Sequence, residues 1–426
     1  MSKADALLRA MFDAAVAAAN PDSVVPPFLP EKPKGNVIVL GAGKASAAMA
    51  KAAETVIVES WGIRPTGLIV TQYGAAVACD HIEIVEANHP VPDANGLAAA
   101  ERILTLASAA KNDDLVLFLV SGGGSSLLPL PGEGLTLDDK QAINKALLKS
   151  GAAIHEMNVV RKHLSAIKGG RLAAAAYPAK LVTLGISDVP GDDFGTIASG
   201  PTIPDPSSSA DAADILARYK IDLPNYINNF LKLDAAQTPD PAEACFSNAE
   251  AIMVAKPQAS LEAAAKIAAD AGYTPLILGD AIEGEARDVG LVMAGIAKQV
   301  RSYKQPVQAP VALISGGETT VTVNGPAGRG GRNTAFLLSF AIAMDDMAGI
   351  SAIACDTDGI DGSEDNAGAV YLPGDIASSR EAGRRAVDYL AGFDSYSFFG
   401  AANRLVMTGP TRTNVNDLRV ILVDAV

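Results

Sequence analysis

The chain is poor in cysteine, aromatic rings, histidine and positive charge, and each shortage closes off a class of function. Its three cysteines stand alone at Cys79, Cys245 and Cys355 in 426 residues. That odd, scattered set excludes a disulfide framework and a CxxC metal site, and it fits a reducing cytoplasm. Aromatics make up only 5% of the residues, so any large core must be built from Ala, Val, Leu and Ile. Lys and Arg number 34 against 48 Asp and Glu, a formal net charge of -14. Such a chain repels phosphate backbones and acidic headgroups at long range, which argues against nucleic acid and membrane as partners. An anionic small molecule must therefore find a local basic pocket. No run approaches the ~20 apolar residues of a membrane span. The opening stretch MSKADALLRAMFDAAVAAAN carries Asp5, Arg9 and Asp13 through the region that a signal peptide keeps uncharged. Within it Leu8, Met11, Phe12, Ala15 and Ala19 recur at helical spacing and predict an amphipathic surface helix. The chain reads as soluble and cytoplasmic, with homo-oligomerisation left open.

What is present is alternation. The apolar runs NVIVLG, TGLIVTQYG, LVLFLVSGGG and LVTLGISDVPGDD each end in Gly, Ser, Thr or Asp, and Ala-rich helical patterns lie between them. This predicts an α/β fold with parallel sheets covered by helices, and LVLFLV, with no polar alternation, suits a strand buried on both faces. The proline-bearing stretch LDAAQTPDPAEA, residues 233–244, separates a second block that ends with VALISGGETTVTV and ISAIACDTDGIDG. We expect two α/β domains: residues 1–240 as a Rossmann-like domain and residues 241–426 as a smaller one. Ligands sit beyond strand ends in open α/β sheets, so the expected active site is a cleft between the domains.

The polar strand ends supply the candidate chemistry. In GAGKAS, Gly41 and Gly43 precede Lys44, and Ser46 takes the place of a dinucleotide fingerprint's third glycine. The second strand ends in Thr71-Gln72-Tyr73-Gly74, without the carboxylate that would hold a ribose. An ammonium beside amides at a helix start favours a phosphate or carboxylate; a plain tight turn with an exposed lysine is the equal alternative. Ser121, Gly122, Gly123, Gly124, Ser125 and Ser126 follow a buried strand, and three successive glycines suggest an anion cradle more than a simple turn. The same logic applies more weakly to Gly316, Gly317, Glu318 and Thr319. In NVVRKHLSAIKGGRLA, Arg161, Ser165 and Lys168 share one face if the segment is helical, and that face could receive a small carboxylate. Lys162 and His163 are given no role, and His89 and His155 read as a turn and a helix-start residue. Asp188, Asp192 and Asp193 follow one strand; Asp356, Asp358 and Asp361 follow another. Such acids suit Mg²⁺, which needs one or two carboxylates plus phosphate oxygens, although Asx turns account for some of them. Arg329 and Arg332 sit among glycines in NGPAGRGGRNTAF, where a guanidinium could stabilise transferring phosphate charge.

Taken together, GAGKAS, HPVPD, VSGGGSSLLPLP, NVVRKHLSAIKGGRLA, SDVPGDD, IASGPT, SGGETTVTV, GRGGRN, DTDGIDG and NRLVMTGPTRTNVNDL resemble the class II glycerate kinase family, in the family's order along nearly the whole chain. The resemblance implies phosphorylation of D-glycerate by ATP and Mg²⁺, commonly on the 2-hydroxyl. Members often carry a hydroxypyruvate reductase label, so an NAD(P)H-dependent reductase is the rival activity. By position, the resemblance points to Lys44 and Arg332 as the central cations, with Asp188, Asp192 and Asp356 as acids. On this reading Lys44, Asp188 and Arg332 are catalytic. Arg161 or the Ser121–Ser126 loop holds the substrate carboxylate. Gly41, Gly43, Gly316, Gly317, Glu318 and Thr319 bind nucleotide, and Asp192, Asp356 and Asp358 bind metal. The chain departs where many relatives read GGRNQE: Thr334 and Ala335 follow Asn333.

Overall fold

The computed structural model describes residues 2–189 and 191–425; Pro190, within the SDVPGDD motif, lies outside the described residues. The chain forms two compact units: Pro21–Val254, and a second that joins the segment up to Asn20 to everything from Ala255 onward. The expected cut at 240/241 thus falls short of the compact boundary. The opening helix α1 (Lys3–Ala18) also belongs with the later unit rather than the earlier one. The reason is apolar packing: Leu8, Met11, Phe12 and Ala15 are buried in one cluster with Leu261, Ala264 and Ala268 of helix Pro257–Asp270 and with Ile314, Ile353 and Val420 of the second sheet.

The first unit is built on strands β1 (Val37–Ala42), β2 (Thr66–Gln72), β3 (Glu83–Ala87), β4 (Leu115–Val120), β5 (Lys180–Ile186) and β6 (Ala249–Ala255), in the order β3-β2-β1-β4-β5-β6. Strands β1 to β5 pair in parallel. Strands β1 and β4 are buried at every position, as the unalternating apolar runs require. Alanines of helix Ala94–Ser108 (Ala99, Ala100, Ala107) and of helix Arg171–Ala176 (Ala173, Ala176) fill the core beside Leu40, Phe118 and Val120. Small side chains let these helices lie close to the sheet, which is how a chain short of aromatics closes its core. The strand order reverses between β1 and β4, and in parallel sheets that reversal opens a crevice at the strand ends.

The second unit holds β7 (Thr274–Gly279), β8 (Gly284–Glu285), β9 (Val311–Ser315), β10 (Thr319–Thr320), β11 (Ile350–Asp356), β12 (Gly368–Tyr371), β13 (Leu405–Val406) and β14 (Asp417–Val423). Its main sheet runs β13-β12-β11-β14-β9-β7. Among the described residues only β7 and β9 are parallel in it; β14 runs antiparallel to both β9 and β11, and β12 antiparallel to β11. The second sheet is therefore mixed, in contrast to the parallel pairing expected and found in the first unit. Strand β11 returns to β12 through the short acidic loop 357–367 instead of a crossover helix, and such a connection produces antiparallel pairing. Phe336, Leu337 and Phe340 of helix Arg332–Met344 and Met293 and Ala297 of helix Ala286–Tyr303 cover one face of this sheet. The α1 cluster covers the other. Among the described residues no helix is long and apolar enough to cross a membrane.

Candidate active site

In the first unit the candidate groups gather at the carboxyl ends of β1, β4 and β5. Gly41 and Gly43 are required by packing. A Cβ on Gly41 would lie 2.2 Å from the Leu119 carbonyl oxygen, and one on Gly43, whose φ is +144°, would lie 2.2 Å from Ser121 Oγ. The amides that follow are already used. Lys44 N–H donates to Gly122 O at 2.9 Å, Ala45 N–H to Ser121 Oγ at 2.9 Å, and Ser46 N–H to Gly43 O at 3.2 Å. Those three amides are therefore committed and stitch the turn to the β4 loop, whereas among the described residues the Ala47 and Ala48 amides of the helix's first turn donate to no acceptor. Ser121 is wholly buried and acts as the stitch.

The glycine loop keeps more donors in reserve. Among the described residues the Gly122 and Gly123 amides take no acceptor, whereas Gly124 and Ser126 N–H bond back to Ser121 O and Gly123 O. Gly123 adopts φ +81°, and a Cβ there would come within 3.0 Å of the His89 ring and 3.5 Å of Lys44 Cγ. His89 thus stands beside Lys44 at the loop, although its place before a proline marks it in sequence only as a turn residue. Ser126 Oγ is tied to Gly123 O at 3.0 Å, and Ser125 Oγ meets Ser199 Oγ at 2.9 Å. Asp188 lies two residues past the end of β5, half-buried on the same side of the sheet. Asp192 adopts φ 56° in the turn beyond. Asp193 builds that turn by accepting from Gly195 N–H and Thr196 Oγ1, each at 2.9 Å.

The basic segment is not one helical face. Helix Ile154–His163 ends before Ser165, which forms an isolated bridge with Pro131 and donates from Oγ to Leu130 O at 2.9 Å. Arg161 and Lys168 are nevertheless linked: Arg161 and Ser199 Oγ both donate to Asn158 Oδ1, Ser199 meets Ser125 Oγ, and Lys168 donates to Ser125. Lys162 and His163 are structural, the lysine paired with Asp205 at 3.1 Å and the imidazole bonded to Ala236 O and Ser207 Oγ.

In the second unit Arg332 opens helix Arg332–Met344 and is gripped by three carboxylates: Glu318 at 2.5 Å, Asp356 at 2.7 Å and Asp417 at 2.9 Å. Burial alone would weaken the guanidinium's hold on its proton, but Asp417, Asp356 and Glu318 together push its pKa above the ordinary arginine value. Asp417 also binds Asn333 Nδ2 at 2.7 Å and the buried Arg419 at 2.5 Å, and Arg419 holds the Gly316 and Gly317 carbonyls at 2.8 and 3.4 Å. Gly316 N–H is spent on Gly279 O, so the Gly316-Gly317 turn is braced by Arg419, and its Gly316 amide is not available to an anion. Asp417 and Arg419 escaped the sequence reading; the available signal was a charged pair at i, i+2 in an otherwise apolar strand. The amides of Asn333 and Thr334 at the helix start are satisfied by Asp361, which Thr334 Oγ1 also reaches at 2.7 Å. Burial raises the Asp361 pKa against those hydrogen bonds.

Beside Arg332 lies a cleft of about 480 Å³ that includes Glu318, Thr319, Gly331, Ala335, Tyr389 and Phe393 in its lining, a size suited to a small organic ligand. Ala335 contributes no carboxylate to that part of the lining. Arg329 is drawn off by Glu364 at 2.6 Å and by the Tyr396 ring, 3.9 Å from its centroid. Asp356 Oδ1 accepts from Asp358 N–H at 3.1 Å and Asp358 Oδ1 from Ile360 N–H at 2.9 Å. Among the described residues no three His, Cys, Asp or Glu side chains converge as a metal-ligand set. The paired Asp356 and Asp358 still fit an ion that asks the protein for only one or two carboxylates.

Two family models match: residues 7–232 match the domain of unknown function DUF4147, and residues 311–417 match the MOFRL family. A curated relative from Agrobacterium vitis, provisionally labelled a hydroxypyruvate reductase, is 55% identical over 98% of this chain and 94% of its own. The D-glycerate 2-kinase of Thermotoga maritima is 42% identical over 95% of this chain and 94% of its own. The crystal structure of glycerate kinase from Thermotoga maritima superposes with a TM-score of 0.88 at 40% identity, covering 99% of both chains. With both domains matched and the whole length shared, the chain belongs to the class II glycerate kinase family, the DUF4147–MOFRL proteins.

Proposed function

We propose that the protein transfers the γ-phosphoryl group of ATP to D-glycerate, at the 2-hydroxyl. The observation that carries this reading is the first unit's strand-end rim, where Lys44 stands against a glycine loop whose Gly122 and Gly123 amides are uncommitted. A cation and open backbone donors at a sheet's switch point are what an anionic substrate undergoing phosphoryl transfer requires. Lys44 and Arg332 are assigned to the charge that develops on the moving group, each such element being worth ~3–4 kcal/mol in a preorganised site. Asp188 is assigned the hydroxyl proton, and the Ser121–Ser126 loop with Arg161 the carboxylate. The cleft beside Arg332, apolar at Tyr389 and Phe393, suits the base and ribose of ATP. Mg²⁺ would be held by Asp356 and Asp358 and would shield the phosphate charge. The turn at Gly41–Ser46 disfavours a reductase, since it carries Lys44 and the second strand ends in Thr71-Gln72-Tyr73-Gly74 without an acid for a ribose.

Two incubations test the assignment. With D-glycerate, ATP and Mg²⁺ the protein should release ADP in proportion to glycerate consumed. With hydroxypyruvate and NADH or NADPH, absorbance at the nicotinamide band should stay flat. The opposite pair of results would replace kinase with reductase.

A further inference from the structure

Arg332 already carries an anion of its own chain at the cleft it lines. Its guanidinium donates from Nε to Asp417 Oδ1 at 2.9 Å, from Nη2 to Asp356 Oδ2 at 2.7 Å and from Nη1 to Glu318 Oε1 at 2.5 Å. The three acids are not equivalent. Asp417 and Asp356 are buried and held a second time, Asp417 by Asn333 Nδ2 and Arg419, and Asp356 by the Asp358 N–H. The Glu318 side chain is 50% exposed, and among the described residues Arg332 is its one hydrogen-bond partner. Its backbone, by contrast, is pinned on both sides: Arg419 donates to the Gly316 and Gly317 carbonyls, and Thr319 pairs with Gly284. The part that can move is the side chain. Within this hydrogen-bonded group Arg332 and Arg419 balance Asp417 and Asp356, so Glu318 is a surplus acid set against the cation. Both Glu318 and Arg332 line the cleft of about 480 Å³.

An ion pair as exposed as this one holds weakly, and a phosphate group brings more charge and more acceptor oxygens than a carboxylate. We propose that Glu318 is a stand-in for a nucleotide phosphate. It occupies the Nη1 corner of Arg332 in the free protein, yields it to a phosphate oxygen when nucleotide enters the cleft, and takes it back as ADP leaves. The proposal rests on the kinase reading, in which Arg332 meets phosphoryl charge. It reverses the role that the sequence gives Glu318, since the residue opposes nucleotide binding instead of adding to it. The gain is in turnover. An arginine fixed by two buried acids and left with an open corner would retain ADP, and product release limits many enzymes. A tethered carboxylate competes for that corner at a high effective concentration, so it hastens release and keeps the guanidinium oriented between turnovers.

Calorimetric titration of the full chain with ADP, with divalent metal chelated so that the protein's own groups are read, compares the parent with Glu318→Gln and Glu318→Ala. Both variants should bind ADP about threefold to tenfold more tightly, and the gain should shrink at high ionic strength. Adenosine, which has no phosphate, should bind all three proteins alike. In steady state ADP should become a correspondingly stronger inhibitor against ATP in both variants. A Kd for ADP that is unchanged, raised or too weak to measure in either variant would overturn the proposal, and so would an equal gain for adenosine. Failure of the parent protein to form ADP from D-glycerate and ATP would overturn the kinase reading instead, a separate result.

Discussion

Replacing Arg332 by glutamine should damage stability and turnover together, by amounts that follow from its three partners. The Asp417 and Asp356 side chains are 0% and 4% exposed, while Glu318 is 50% exposed. Removing the cation from a buried pair costs about 3–5 kcal/mol, because the remaining carboxylate keeps its desolvation penalty. Asp417 retains Arg419 and Asn333, so the lower end, about 3 kcal/mol, is expected. For a unit of this size that lowers the thermal midpoint by roughly 6–12 °C, read by calorimetry on the transition of the second unit. Turnover measured well below that midpoint should fall by a further factor of about 10²–10³, the usual consequence of removing a preorganised charge from a transition state. Glu318→Gln separates the effects: breaking a half-exposed pair costs less than about 1 kcal/mol, so its midpoint should hardly move. An Arg332→Gln protein with a midpoint within 2 °C of the parent, roughly, would refute the stability argument. Turnover within about threefold of the parent would refute the assigned role.

Two other perturbations address the first unit and the fold. Lys44→Ala should keep the parent's circular dichroism, since the turn is held by backbone and Ser121 contacts, and should lower kcat by about 10²–10³; near-parent kcat removes Lys44 from the mechanism. Phe12→Ala, at a side chain 1% exposed, should cost about 3–5 kcal/mol, visible as a shift in the second unit's denaturant transition. A shift confined to the first unit would contradict the placement of α1.

Much of this was legible in the chain because local rules and tertiary structure agree in the first unit. Unalternating strands, polar strand ends and Ala-rich helices specify a parallel sheet, and β1 to β5 form one. Legibility ended where the outcome depends on partners distant in sequence. The amphipathic pattern of Leu8, Met11, Phe12 and Ala15 announces a buried face but not the sheet it covers. Strand polarity in β11, β12 and β14 depends on which strand lies alongside, which an apolar run does not encode. Helical spacing of Arg161, Ser165 and Lys168 presumed a helix that the bridge to Pro131 ends, yet both cations reached the same neighbourhood by another path. Amide availability was the hardest to foresee: the donors of Lys44 and Ala45 were taken by Gly122 and Ser121, some 75 residues on. The partnership of His89 with Gly123, and of Arg419 with Asp417, likewise exists only once the sheets are assembled.

The account stands on phosphoryl transfer to a glycerate hydroxyl, and phosphorus NMR of a reaction containing D-glycerate, ATP and Mg²⁺ reads that event directly. The predicted spectrum shows ADP growing together with a phosphomonoester resonance split by a single proton, the signature of phosphate on the secondary 2-carbon. A spectrum in which ATP stays intact, or in which only inorganic phosphate accompanies ADP, would contradict it.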